Sequence, residues 1–255
     1  MRQAVRCLLL LSGLPGCIEN GQSLTIDHLA VHDPTMCSTA ISTSSSLFQS
    51  EGILDVGLTE LGLAGYRVAP IIVNNMIVLG NSLDVERLSV QVTGVNVELR
   101  GDVAAALKPE ERKYFVPGNG GLVLPGGIST NGASTVMAGL LVVPWQIARK
   151  LAPTVAAAAT NPPLLIVRLW PVGILGGTQI TGGASDLPIR LCQYCLTSPR
   201  LDAWQDGRCP MNGVASNLVH TPCIAGQDNL VTCCKGTTSL LCGAEVPLAA
   251  TQTGR

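Results

Sequence analysis

The chain has few aromatic side chains and few charges. Two Phe, three Tyr and three Trp make up 3% of its 255 residues, and Asp, Glu, Lys and Arg together make up 13%. So few aromatics leave little material for sugar-stacking platforms. The 16 basic and 17 acidic residues nearly cancel, and neither sign forms a long run. That excludes a phosphate-neutralising surface for nucleic acid. No apolar stretch reaches the ~20 residues that a membrane-spanning helix requires. Histidine occurs three times and no Gly-x-Ser-x-Gly sequence is present outside or inside an apolar run, so the nucleophile elbow of many hydrolases is missing. What the chain does have is glycine (28), proline (16) and cysteine (10). Frequent Gly and Pro break helices and mark turns, which favours many short strands.

The N-terminus reads "MRQAVRCLLLLSGLPGC". Arg2 and Arg6 precede a short apolar run, the pattern of an export signal. "LPGC" resembles the lipobox of bacterial lipoproteins: Leu14, Gly16 and Cys17 match it, and Pro15 departs from its usual small residue. The resemblance implies cleavage after residue 16 and a lipid on Cys17. The expectation is an exported protein held in the bacterial cell envelope, at the outer membrane, by an N-terminal lipid anchor rather than a span. Removing Arg2 and Arg6 with the signal leaves 14 basic against 17 acidic residues, a net charge of −3.

Export decides how the cysteines read. Cys7 leaves with the signal and Cys17 carries lipid, so eight remain: Cys37, Cys192, Cys195, Cys209, Cys223, Cys233, Cys234 and Cys242. In an oxidising compartment an even set pairs into disulfides, here four, with 105 connectivities open. Seven of the eight lie within 192–242, so one of them is expected to bridge back to Cys37. Zinc is disfavoured, because adjacent Cys233 and Cys234 suit one tetrahedral ion poorly. A redox Cys192-x-x-Cys195 would need a helix start beside a βαβ unit, whereas "SDLPIRL" before it is strand-like. No cofactor or metal is expected.

Four regions follow the signal (1–16): a tether (17–47), a β-rich domain (48–190), a cysteine-rich module (191–245) and a tail (246–255). Residues 66–79 read as one or two strands around Pro70. "LSVQVTGVNVEL" (88–99) alternates with period two, but its phase slips at Thr93-Gly94, so a β-bulge is expected there. Residues 101–113 hold a helical turn interrupted by Pro109, and "GNGGLVLPGG" is a turn region. "STVMAGLLVVPW" is a buried strand or strand pair. "QIARKLAPTVAAAA" is the best helix candidate, with Pro153 at a break or a new first turn. Gly176-Gly177 joins two strands as a hairpin. The fold class is all-β, a β-sandwich-like body with a disulfide-rich C-terminal module and one or two short helices.

"EGILDVGL", "VQVTGVNVEL", "LPIRLCQYCL" and "TPCIAGQDNLVTCC" together resemble uncharacterised exported lipoproteins of myxobacterial type. The matching positions are Cys37, Leu54-Asp55, Cys192, Cys195, Cys223, Gly226-Gln227-Asp228 and Cys233-Cys234. The resemblance implies location and disulfides, and carries no activity.

Other candidate residues are few. His28 and His32 would chelate a metal together only on a helix; "SLTIDHLAVH" reads as a strand, where they stand ~13 Å apart. His220 reads as a loop residue. Glu110 and Glu111, among Lys108, Arg112 and Lys113, read as a solvated cluster. Asp55 and Asp186 stand alone in the sequence. No catalytic residue is assigned. The expected function is a non-catalytic surface lipoprotein, structural or binding an envelope protein or glycan; a secreted hydrolase of envelope or prey polymers and a glycan-binding module are the alternatives.

Overall fold

A computed structural model describes residues 23–30, 48–61, 65–76, 87–126, 134–158, 162–198, 227–228, 231–235 and 240–242. The signal, Cys17, Cys37, His32, Cys209, His220 and Cys223 lie outside the described residues. Within them the body is all-β: two sheets share one apolar core.

The first sheet centres on β3 (Tyr66–Asn74). Antiparallel to it run β1 (Leu24–Ala30), β7 (Ser134–Val136) and β8 (Leu140–Val143). β3 runs through Pro70, whose missing N–H falls at the interruption between β7 and β8, where its carbonyl accepts from Met137 at 3.1 Å. "STVMAGLLVV" forms two strands that follow one another in the same direction along β3, separated by a turn at Gly139 with φ +68°.

The larger sheet has the order β2 (Gly52–Asp55), β11 (Ser185–Cys192), β9 (Leu164–Leu175), β4 (Val90–Arg100), β5 (Lys113–Pro117). Its pairings are antiparallel except β2 with β11. β6 (Leu122–Val123) pairs with β4, so part of the glycine-rich stretch is strand rather than turn. β10 (Thr178–Thr181) returns along β9 through Gly176 and Gly177, both at positive φ as a two-residue hairpin turn requires.

The slip in β4 is a bulge. Its register against β9 shifts between Val92 and Gly94, and Val90, Val92, Val95, Val97 and Leu99 are all buried. Both apolar sets therefore face one core, which an unbroken strand cannot achieve. Leu88, expected to begin the strand, is helical and half-buried just before it.

Two α-helices lie wholly within the described residues. In α1 (Pro109–Arg112) proline occupies the first position, so it opens the turn instead of interrupting one. A 3-10 turn over Asp102–Ala106 precedes it. α2 (Trp145–Ala157) continues through Pro153, which lies on the exposed side; the carbonyl it leaves unbonded there is open to water. The buried stripe Ile147, Ala148, Leu151 and Val155 holds the helix against the core. No described helix is long and apolar enough to cross a membrane.

β11 crosses the expected boundary at residue 190 and ends at Cys192, so the body and the module share a strand. Beyond it, β12 (Thr197–Ser198), β13 (Val231–Lys235) and β14 (Leu240–Cys242) form a small sheet of the module.

Candidate functional site

Body and module meet at a seam built from residues far apart in the chain. Parallel pairing sets Asp55, the last residue of β2, beside Cys192, the last of β11. The chain then turns through Gln193 and Tyr194 to Cys195, and the two sulfurs are bonded, with Cα atoms 5.8 Å apart. That is within the usual range for a bridge.

Asp55 is fully buried and holds this turn. Its Oδ1 accepts from the backbone N–H of Tyr194 at 2.7 Å and of Gly57 at 2.9 Å; its Oδ2 accepts from Leu196 at 2.9 Å. Burial pushes the carboxyl up from its ordinary range, against the opposing pull of the N–H donors of Leu196, Tyr194, Gly57 and Cys195. Tyr194 adopts φ +57°, a left-handed geometry that its N–H bond to Asp55 supports. A Cβ on Gly57 would stand 2.7 Å from the Tyr194 ring, so glycine makes room for it.

One Asp55 oxygen and the two sulfurs lie within 4.8 Å of one another. The donors do not suit a metal. The sulfurs are spent on each other, the carboxylate is spent on backbone N–H groups, and three ligands fall short of a structural zinc set.

A second cluster lies a few residues away. Gln227 pairs with Leu54 as an isolated antiparallel bridge. Its side-chain amide imitates a strand: Nε2 donates to Arg67 O at 2.6 Å, and Oε1 accepts from Arg67 N at 2.7 Å. Asp228, at φ +56°, donates its N–H to Ile53 O at 3.0 Å and accepts from Ile53 N at 2.6 Å through Oδ1. Its Oδ2 accepts from the Tyr66 hydroxyl and from Gln49 Nε2, each at 2.7 Å. Gln49 also donates to the Tyr66 oxygen. Tyr66 is fully buried, and burial followed by the Asp228 charge drives its phenol far above the ordinary value, so it stays a neutral donor. Gly52 is the space this needs: a Cβ there would lie 1.9 Å from the Tyr66 oxygen.

Asp55, Cys192, Cys195, Gln227 and Asp228, which were singled out as a sequence pattern, thus converge on one seam. Gly52, inside the quoted "EGILDVGL" segment, completes it together with Tyr66 and Gln49, which belong to no recognisable motif. Their only signal was a polar aromatic in an otherwise β-branched strand.

The remaining candidates are dispersed. His28 bonds Asp27 at 2.8 Å in β1, a strand as expected. Glu111 caps α1 by accepting from Lys108 N at 3.1 Å and pairs with Lys150; the pair holds its carboxyl below the ordinary range. Asp186 forms a two-pronged pair with Arg168, both contacts 2.6 Å, which lowers its carboxyl pKa. Among the described residues, no hydroxyl or thiol nucleophile is bonded to a histidine.

Comparison with protein-family models and with curated proteins matches nothing.

Proposed function

We propose that the protein is a non-catalytic lipoprotein of the bacterial cell envelope, anchored through lipid on Cys17 and exposing its β-body and module as one rigid unit. The observation that carries this reading is the use made of the buried carboxylate. Asp55 spends its oxygens on three backbone N–H groups, and Asp228 in the neighbouring cluster does the same work between module and body. A catalytic acid or base needs a free lone pair or proton within reach of a substrate. These acids hold strands together instead. The short apolar run before "LPGC" supports the anchor.

Intact-mass analysis of detergent-extracted protein tests it. The expected species begins at Cys17 and carries acyl mass, and Cys17→Ser moves the protein from the membrane fraction to the soluble one. A mature chain starting elsewhere, or without acyl mass, would overturn the anchored reading.

A further inference from the structure

The outward face of the larger sheet carries two rows of side chains set by strand register. In one row Asn96 of β4 stands between Phe115 of β5 and Trp170 of β9. In the next, Lys113, Glu98, Arg168 and Asp186 line up across four strands with alternating charge. Phe115 is 48% exposed, and a Cβ on Gly94 would meet its ring at 2.5 Å, so the ring lies over the glycine and turns its other face outward. Beside it is a cavity of about 460 Å³ that Phe115, Trp170, Asn96 and Thr181 line together with Glu98 and Lys113. A second cavity of about 380 Å³ continues past the same Glu98 and Lys113 to Arg100 and Arg112.

We propose that this groove binds an acidic oligosaccharide, with sugar rings on Trp170 and Phe115 and a carboxylate at the Arg100–Arg112 end. The proposal deepens the non-catalytic reading and rests on it. Across the one intervening strand the backbones of Phe115 and Trp170 stand about 9.5 Å apart. That spacing suits alternate rings of a linear glycan and far exceeds the ~3.4 Å rise between stacked bases. Between the rings, the Asn96 amide, the Thr181 hydroxyl and the Trp170 Nε1–H have no bonding partner among the described residues, and they suit sugar hydroxyls. Charge supplies the acidic end. The lining of the second cavity sets Arg100, Arg112 and Lys113 against Glu98, a surplus of two positive charges within that lining, on a chain whose net charge is −1. Arg100 uses Nε and Nη2 on Glu98, and Arg112 uses the same atoms on the Leu107 and Ala105 carbonyls. Each keeps Nη1 for a ligand.

Titration calorimetry and tryptophan fluorescence on the full chain, with hexagalacturonate and neutral cellohexaose as probes, test the site. Hexagalacturonate should bind and perturb tryptophan emission, more weakly at high salt, and cellohexaose should bind less tightly. Trp170→Ala and Phe115→Ala should each weaken hexagalacturonate about tenfold, the scale of losing one aromatic stacking partner. Asn96→Ala, which removes no protein hydrogen bond, should weaken both sugars with the melting temperature unchanged. Arg112→Gln should abolish the preference for the acidic sugar. Absence of binding by either sugar, affinity unchanged by Trp170→Ala and Asn96→Ala, or equal binding of linear polyphosphate would overturn the proposal. Chromatography of the recovered sugar separates the two readings: shortened products would end the non-catalytic role while leaving the binding site standing.

Discussion

Asp228 accepts the phenolic proton of Tyr66 at 2.7 Å across 162 residues of chain, and this bond joins the module to the core strand of the smaller sheet. The hydroxyl also has the Gln49 and Gln227 amides beside it, and Gly52 leaves it space that a Cβ would fill. Removing the acceptor therefore strands a buried donor. Asp228→Ala should destabilise the protein by about 1–3 kcal/mol, and Tyr66→Phe by less, since Asp228 keeps Gln49 and Ile53. A double-mutant cycle in urea should return a coupling of about 0.5–3 kcal/mol. Additive effects would mean that the pair does not act as a latch.

Asp55→Asn keeps the shape of the side chain and reverses half of its chemistry. An amide nitrogen would face the N–H of either Leu196 or Tyr194, donor against donor. The expected cost is about 1–3 kcal/mol, with the Cys192–Cys195 turn loosened. Faster reduction of that disulfide by dithiothreitol than in the wild type checks the second part; an unchanged rate would show that Asp55 does not hold the turn.

Glu98 gives a pH dependence with a definite sign. Its hydrogen bond to Lys113, aided by Arg100, lowers its carboxyl pKa despite partial burial. A depressed folded-state value stabilises the protein above the ordinary unfolded pKa, ~4.3, and that contribution is lost as pH falls through the folded value. The melting-temperature difference between wild type and Glu98→Gln should therefore be largest near neutrality and shrink below about pH 4. A difference that grows on acidification would contradict the assignment.

The cysteines make a prediction about connectivity. With Cys192 and Cys195 paired, five module cysteines remain, still an odd number. Strand register sets Cys233 opposite Cys242. Opposed residues of an antiparallel pair lie ~4.5–5.5 Å apart at Cα, inside the range of a disulfide. Non-reducing peptide mapping should find Cys233 joined to Cys242 and Cys37 joined to one of Cys209, Cys223 and Cys234. Cys37 recovered as a free thiol would break the parity argument.

The all-β class, the β4 bulge, the Gly176-Gly177 hairpin and the α2 helix were legible in the sequence because each rests on local periodicity or on the backbone freedom of glycine. The bulge was readable from alternation alone, since only a two-residue period slipping by one can bury both Val92 and Val95. Even where the local signal misled, the reason is local. Pro109 reads as an interruption and Pro153 as a break or a new first turn, yet Pro153 lies on an exposed side of a continuous helix and Pro109 at a first turn, where a missing N–H is harmless.

Partners across the chain were not legible. Asp55 and Asp186 looked equally isolated, but the first is buried on backbone N–H groups while the second is paired with an arginine on an open sheet face. Nothing in eight scattered aromatics indicated that Phe115 and Trp170 flank one asparagine, because strand order and register, not sequence distance, put them there. By itself the sequence determined composition, strand content and which residues have the chemistry to pair. The tertiary structure alone decided which acids are consumed in holding the fold and which side chains share a sheet face, because both depend on contacts between residues up to 179 positions apart.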